Sequence, residues 1–541
     1  MSYFGIPIRN GLPIGLGSVA PLASGGGSPF SPLSLFAGGA PGAWYDPSDL
    51  TTLFQDSAGT TPVTAVEQPV GLMLDKSQGL VLGPELVVNG NFSNGTTGWT
   101  VDAGWSIGGG VAIKTAGSAN YVKQGTPVVG KWYKVTFDVV SISAGNVFGV
   151  AGDISASSFN TTGTKTVYIL AISAGFGFGV YGNAAFAGSI DNISVKELPG
   201  NHAFQATSAS RPVLSARYNL LTKTEDFTNA AWGKTSVTVS SGVSDPDGGT
   251  TAFTLTSTAD FGNIVQTLFS SGVVDSTIYV RRRTGSGTVG ILRADAQNWT
   301  TIAVTSTWTK FTVSATAFPA VGSGIRLNTN GDAVDIWHPD LRVANNGTTQ
   351  PAYQRVNTAT DYNTTGFLPY LRFDGVDDSL STNSISFTST DKMSVFAGVR
   401  KLSDAVMMIV ESSASFDTSN GTFALYDFTT GVYYWASRGT ITANPLSSAL
   451  SAPRTNTLTG LGDISGDLAT LRVNGAQVSQ ITSDQGTGNY GNYPLYIGRR
   501  GGSSLPLNGQ MYSMIIVGKA VTAGELSSTE TWVNSKTGAY A

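Results

Sequence analysis

The chain has 541 residues, which at roughly 150 per domain allows three or four folding units, and 31 Lys+Arg against 35 Asp+Glu leave a net charge of −4. That balance gives no electrostatic case for nucleic acid or an anionic membrane as partner. The absence of Cys and the presence of only two His (His202 and His338) exclude disulfides, thiolate metal sites and most imidazole chemistry, while 41% hydrophobic residues are ample for several cores.

Residues 1–42 are mostly Gly, Pro, Ser and short apolar residues. Pro13, Pro21 and Ser24-Gly25-Gly26-Gly27 interrupt any helix, and no basic run precedes an apolar stretch. No run of roughly 18 apolar residues occurs anywhere, so membrane insertion is not expected. This segment reads either as a flexible tail or as an anchor that becomes ordered against a larger assembly. Phe4, Ile6, Ile8, Leu33, Leu35 and Phe36 make it more apolar than a plain linker needs, which favours the anchor.

From residue 85 onward, short runs rich in Val, Ile, Thr, Tyr and Phe are separated by Gly, Asn, Asp and Ser about every 8–12 residues. Lys131–Val140 alternates, with Trp132, Lys134, Thr136 and Asp138 on one face and Tyr133, Val135, Phe137 and Val139 on the other. Thr277–Arg283 and Trp308–Val313 behave similarly. In Arg281-Arg282-Arg283 the charges read as exposed edge residues that block sheet-to-sheet aggregation. A weak repeat relates Glu85–Thr100 to Asn219–Trp232, each an apolar pair, an Asn or Asp before Phe, and then a Trp (Trp99, Trp232) expected in a core. Each copy runs on to a similar closing strand, Ser189–Leu198 or Ala333–Val343, expected beside its opening one. Helical signals concentrate in Ala523–Lys536, where Leu526 and Val533 share a face and Thr537-Gly538 marks the end. The class is all-β: three β-sandwiches behind an irregular Gly/Pro-rich N-terminal segment.

Both repeat copies resemble carbohydrate-binding jelly rolls of the kind found in bacteriophage structural proteins. Leu371–Leu380 (LRFDGVDDSL), Leu471–Val478 (LRVNGAQV) and Leu495–Ile516, followed by the short helix, resemble a concanavalin-A-like (laminin-G-like) lectin/glucanase sandwich. Ala43–Ser77 looks like the opening of that same domain, which normally continues into a GNHA-type segment. Here GNHA stands at Gly200–Ala203, more than a hundred residues late. We therefore expect residues 1–42 as an attachment segment and a lectin sandwich assembled from 43–82, 199–216 and 358–541. Jelly rolls at 83–198 and 217–357 are then insertions, which are tolerated where both guest ends lie close together on a surface. Four beads on a string is the other arrangement.

Chemistry-bearing patterns are sparse. Gly177–Gly182, Gly285–Gly290 and Gly486–Gly491 match G-x-G-x-x-G, but none opens a helix after a strand. A glycosidase needs two carboxylates flanking the scissile bond; the seven Glu (67, 85, 197, 225, 411, 525, 530) include no two on one strand at the glucanase spacing, so no enzyme activity is expected. Asp374, Asp377 and Asp378 read either as an Asp-Gly turn with carboxylates capping backbone N–H groups or as a Ca²⁺ site, the one cofactor this sequence leaves open. Sugar recognition uses aromatic platforms, and Trp105, Trp299 and the run Tyr433-Tyr434-Trp435 are candidates. On a strand, either Tyr434 or the Tyr433/Trp435 pair must face outward.

The resemblance implies a phage virion protein, assembled in the host cytoplasm, joined to other virion proteins through 1–42 and contacting host-surface glycan as a receptor-binding tail fibre or appendage. It also implies a homo-oligomer, most often a trimer. A capsid or tail decoration, or a head fibre, without essential glycan binding is the alternative, and a polysaccharide-degrading enzyme the third.

Overall fold

A computed structural model describes residues 30–541 except 270–272, 293–297, 316–319, 346, 348–349 and 416–417. Every strand pairing in the six large sheets is antiparallel, and the sheets stack in pairs as three β-sandwiches. Among the described residues the one α-helix is Ala523–Thr537, and no helix is long and apolar enough to cross a membrane.

The largest sandwich, termed the host, faces two nine-stranded sheets across a core that includes Tyr45, Leu371, Val395, Trp435, Leu471 and Met514. Its first sheet runs Gln68–Pro69, Val213–Ser215, Tyr370–Asp374, Asn508–Val517, Lys392–Lys401, Arg454–Asp463, Leu468–Val473 and Ala476–Ile481, with Gly42–Tyr45 also on Asn508–Val517. Its second runs Leu53–Phe54, Leu72–Met73, Ala203–Phe204, Leu380–Ser386, Asn492–Ile497, Met407–Ser412, Thr422–Phe428, Val432–Arg438 and Thr442–Ala443. Both sheets thus take strands from either side of residues 83–198 and 217–357.

Those two intervals form the first and second modules, each with its own core. Entry and exit of each are hydrogen-bonded together: Leu86 N–H donates to Val195 O (2.9 Å) and Leu220 N–H to Leu341 O (2.8 Å). The repeated segments fold alike. Phe92 packs on Trp99 with ring centroids 5.2 Å apart, and Phe227 on Trp232 at 4.7 Å. Each Trp is buried and donates Nε1–H at 2.9 Å to the carbonyl of a residue with positive φ, Asn89 or Lys223.

Two expectations change. Leu35 and Phe36 are buried against this chain's own Trp44, Phe396, Ile515 and Val533, and Trp44 meets Trp532 of the helix at 5.5 Å. The apolar signal at 35–36 therefore belongs to the host, and the stretch from Phe30 to Gly42 packs there; Leu33 is exposed. Phe4, Ile6 and Ile8 lie outside the described residues. Second, Arg281–Arg283 are not edge charges. Strand Val274–Thr284 is flanked by Ala333–Val343 and Thr309–Ala315, and Arg281 Nε and Arg283 Nε both bond to buried Asp335 at 2.8 Å, while Arg282 pairs with Asp332 at 3.0 Å.

The helix is closed at both ends as its sequence requires. Thr522 and Glu525 form a capping box, and Gly538 at φ 62° takes the left-handed position that favours glycine.

Candidate functional site: an outward aromatic ladder

In the first module, alternation sorts each strand of the four-stranded sheet into a core face and an outer face. Val122, Val180 and Val147 enter the core, so their neighbours Tyr121, Tyr181 and Phe148 point outward. Register then aligns them, with Tyr121 opposite Tyr181 and Tyr181 opposite Phe148. Ring centroids are 4.9 Å apart for Tyr121–Tyr181 and 5.6 Å for Phe148–Tyr181, and Phe176 extends the row at 5.6 Å from Tyr121. All four rings are half-buried. Lys123 Nζ lies 4.9 Å from the Tyr121 centroid. Burial first, then the neighbouring Tyr181, Asp102 and Asp153, pushes the Tyr121 hydroxyl pKa upward. The result is a row of π-faces edged by phenol hydroxyls, an ammonium and carboxylates. Such a surface stacks against the C–H face of a ring while hydrogen-bonding its hydroxyls.

None of these four aromatics stood among the sequence-derived candidates. The alternation in Asn120–Gln124 and Phe178–Gly182 marks outward tyrosines, but the row exists only through register between strands some sixty residues apart.

Of the candidates that did stand, three face inward. Trp105 is 7% exposed, packs on Phe186 and donates Nε1–H to Asn120 O at 3.0 Å. Tyr433 and Trp435 are fully buried in the host core; Asn456 Nδ2 donates to the Tyr433 hydroxyl at 3.2 Å, and Trp435 Nε1–H donates to Leu461 O at 3.0 Å. A ring enclosed on both faces cannot stack on a sugar, so these three are removed from the sugar-facing set. Tyr434 does face outward, stacked on Tyr426 at 5.3 Å and beside Phe428, which is 41% exposed. Trp299 lies part-exposed under the Arg326 guanidinium, 4.9 Å from its ring centroid, with Phe261 on the same arginine at 5.6 Å. Each sandwich therefore carries an outward aromatic cluster.

His338 is a strand residue with positive φ, stacked between Trp337 and Tyr353 at 3.3 and 3.6 Å, and burial holds its pKa down to about 3.

Asp374, Asp377 and Asp378 bring carboxylate oxygens within 4.8 Å of one another. Asp374 Oδ1 accepts the N–H groups of Val376 (2.8 Å), Asp377 (3.1 Å) and Asp378 (3.4 Å), which is the Asp-Gly turn geometry, and Ser210 Oγ donates to Asp377 at 2.7 Å. Burial, then the Asp374 and Asp377 charges, push Asp378 up to about 7. A carboxyl raised above its unfolded value binds its proton more tightly in the native state. Its contribution to stability is complete below about pH 4 and lost as pH rises through 7. Asp378→Asn is expected to flatten that slope in melting temperature between pH 4 and 7. A divalent cation held by all three carboxylates removes the same slope in the parent chain, so repeating the melts with CaCl2 separates the turn reading from the Ca²⁺ reading.

No family model matches the chain, and no curated protein matches it. Among solved structures, the chain is similar to the CBM40 of a Ruminococcus gnavus IT-sialidase bound to α2,3-sialyllactose (15% identity, 28% of this chain and 97% of that one, TM-score 0.23). It is also similar to a SAP-like pentraxin from Limulus polyphemus (10% identity, 29% and 78%, TM-score 0.24) and to the binding domain of botulinum neurotoxin serotype D (13% identity, 30% and 42%, TM-score 0.25). Likenesses of this size leave the function to the chain's own residues.

Proposed function

We propose that the chain is a glycan-binding protein of a bacteriophage virion, displayed as a receptor-binding appendage and acting by multivalent binding without catalysis. The observation that carries the binding reading is the half-exposed row Phe148–Tyr181–Tyr121 across adjacent strands, extended by Phe176 in the turn before Phe178–Gly182. Exposed aromatic surface of this kind on a folded domain marks an interaction site. The outward clusters at Trp299 and Tyr434 add one platform per sandwich, and several weak sites on one particle multiply avidity through effective concentration. The virion assignment is supported by the sequence resemblance. In this reading residues 1–29 make the attachment, because the following stretch is occupied by the host, and the appendage is a homotrimer.

Glycan-array and calorimetric titration of the full chain test the binding reading. Tyr121→Ala/Tyr181→Ala is expected to weaken glycan binding about 30-fold or more, at roughly 1 kcal/mol per stacked ring, with the module still folded and its melting temperature lowered by the loss of the half-buried cross-strand pair. Parent-like binding by the double variant overturns the ladder as the site. Deleting residues 1–29 is expected to abolish incorporation into particles and leave glycan binding intact. A decoration role is favoured if particles carry the chain but no glycan is bound, and reducing-sugar release from host polysaccharide overturns binding without catalysis.

A further inference from the structure

The outer face of the host's first sheet carries an unusual set of residues where the second module covers it. In strand Tyr370–Asp374, Leu371 and Phe373 enter the core, so Arg372 points outward; in Lys392–Lys401, Val399 enters and Arg400 points outward. Register sets Arg372 opposite Gln510 on one side and Arg400 opposite the same Gln510 on the other. Two guanidinium-bearing residues therefore flank one amide, with their backbones roughly 9–10 Å apart across two strand spacings. Arg217, on the crossing into the second module, adds a third. Together they line a cavity of about 530 Å³ between the host and the second module.

Their positive charge is poorly compensated. Buried Arg400 spends its donors on neutral acceptors: Nη1 on Thr455 Oγ1 (2.8 Å) and the Asn345 carbonyl, Nη2 on the carbonyls of Ala344 (2.6 Å) and Val343 (3.3 Å). Arg217 likewise donates Nε to Asn219 O (3.0 Å) and Nη2 to the carbonyls of Leu220 (2.6 Å) and Leu221 (3.3 Å). The carboxylate that approaches the set is Glu67, 3.3 Å from Arg372 and also hydrogen-bonded by Ser215 and Tyr362. Carbonyl oxygens satisfy N–H groups but supply no counter-charge, and desolvation of an unpaired charge is costly. Burial accordingly pushes the pKa values of Arg217 and Arg400 downward, although a guanidinium stays protonated. Three cations against one carboxylate leave a half-enclosed cavity with an excess of about two positive charges.

We propose that this cavity binds an acidic saccharide, with a carboxylate or sulfate ester held by Arg372 and Arg217. The guanidinium fork of Arg372 matches such an oxyanion in two-point geometry, while Arg217, with Nε and Nη2 on carbonyls, adds its charge and its Nη1 donors. Leu220, Leu268 and Leu402 supply an apolar wall for the ring, Asn508 and Gln510 supply amides for its hydroxyls, and the volume is in the range that encloses a small ligand. The proposal rests on the glycan-binding reading for the class of ligand, but the cavity is separate from the aromatic ladder.

Calorimetric or NMR titration of the full chain at fixed ionic strength tests it, using glucuronate, glucose 6-sulfate, methyl glucoside and inorganic sulfate as probes. We expect at least one of the two acidic sugars to bind, methyl glucoside to bind at least tenfold more weakly, and Arg372→Gln to lose at least tenfold in affinity with little change in melting temperature. Arg372→Lys, which keeps the charge without the fork, should fall between. The Tyr121→Ala/Tyr181→Ala variant should titrate as the parent does, so failure of the ladder and failure of this cavity are separate results. Parent-like binding by both Arg372 variants, equal binding of methyl glucoside, or binding of inorganic sulfate without either acidic sugar overturns the proposal.

Discussion

Replacing Asp75 with alanine is expected to destabilise the host by about 3–5 kcal/mol, lowering its melting transition by roughly 10 °C. The carboxylate is fully buried and accepts four hydrogen bonds: from Trp44 N–H (2.8 Å), Ser77 N–H (2.8 Å), Ser77 Oγ (2.7 Å) and Asn201 N–H (2.7 Å). Those donors come from three stretches of the host, and the first module separates the last of them, at Asn201, from the other two. Around them, Asn201 Nδ2 donates to Gly42 O (2.7 Å), Tyr45 Oη donates to Asn201 O, and the Asp75 N–H donates to His202 Nδ1 (2.9 Å). Burial holds the His202 pKa down to about 3, so the ring is neutral at ordinary pH and, with Nδ1 accepting, carries its proton on Nε2. Its ring lies tilted against Trp132 of the first module, with centroids 5.4 Å apart. Alanine leaves three buried backbone N–H groups without partners, at about 1–3 kcal/mol each before relaxation. Calorimetry of the full chain checks this. A shift below about 1 kcal/mol contradicts the assignment of Asp75 as the fastening that joins the host's separated segments.

Trp435→Ala is expected to cost a similar amount, about 3–5 kcal/mol, again in the host transition. Its indole is wholly buried and lies over Gly460, where an added Cβ would come within 2.4 Å of the ring. The close approach of strands Val432–Arg438 and Arg454–Asp463 across the sandwich depends on that missing side chain. Truncation removes the largest aromatic at this point of the core and the Nε1–H bond to Leu461 O. Gly460→Ala should be destabilising too, through overpacking. The same folded variants should bind glycan as the parent does, a split between stability and binding that a sugar-facing Trp435 would not give.

The parity of Tyr433-Tyr434-Trp435 shows where sequence reasoning stops. Alternation establishes that one set faces inward, but which set depends on the facing sheet, and the space over Gly460 lies 25 residues along the chain from Trp435. Leu35 and Phe36 show a second limit. Apolar residues in a Gly/Pro-rich segment need burial, and composition does not distinguish a partner's surface from this chain's own Phe396 and Ile515. The triple arginine shows a third: a run of like charge reads as solvated unless the partner strand is known, and Asp335 becomes its neighbour only through the pairing with Ala333–Val343. By contrast, the all-β class, the repeated Phe/Trp motif and the C-terminal helix were legible because each rests on local periodicity, turn residues or capping. The aromatic ladder and the arginine cavity were not, because both are properties of register and packing between distant segments.

The pairing of Gly42–Tyr45 with Asn508–Val517 also fixes an order of events during synthesis. About 470 residues separate those partners, and at roughly 5–20 residues per second a ribosome needs roughly 25–95 s to deliver the second after the first. Through that interval the earliest strands wait with unpaired edges, while each inserted module holds all its own strands once its closing strand has emerged. The sandwich that begins first along the chain is therefore the last that can be completed, and its opening strands are the part of the nascent protein most exposed to wrong partners.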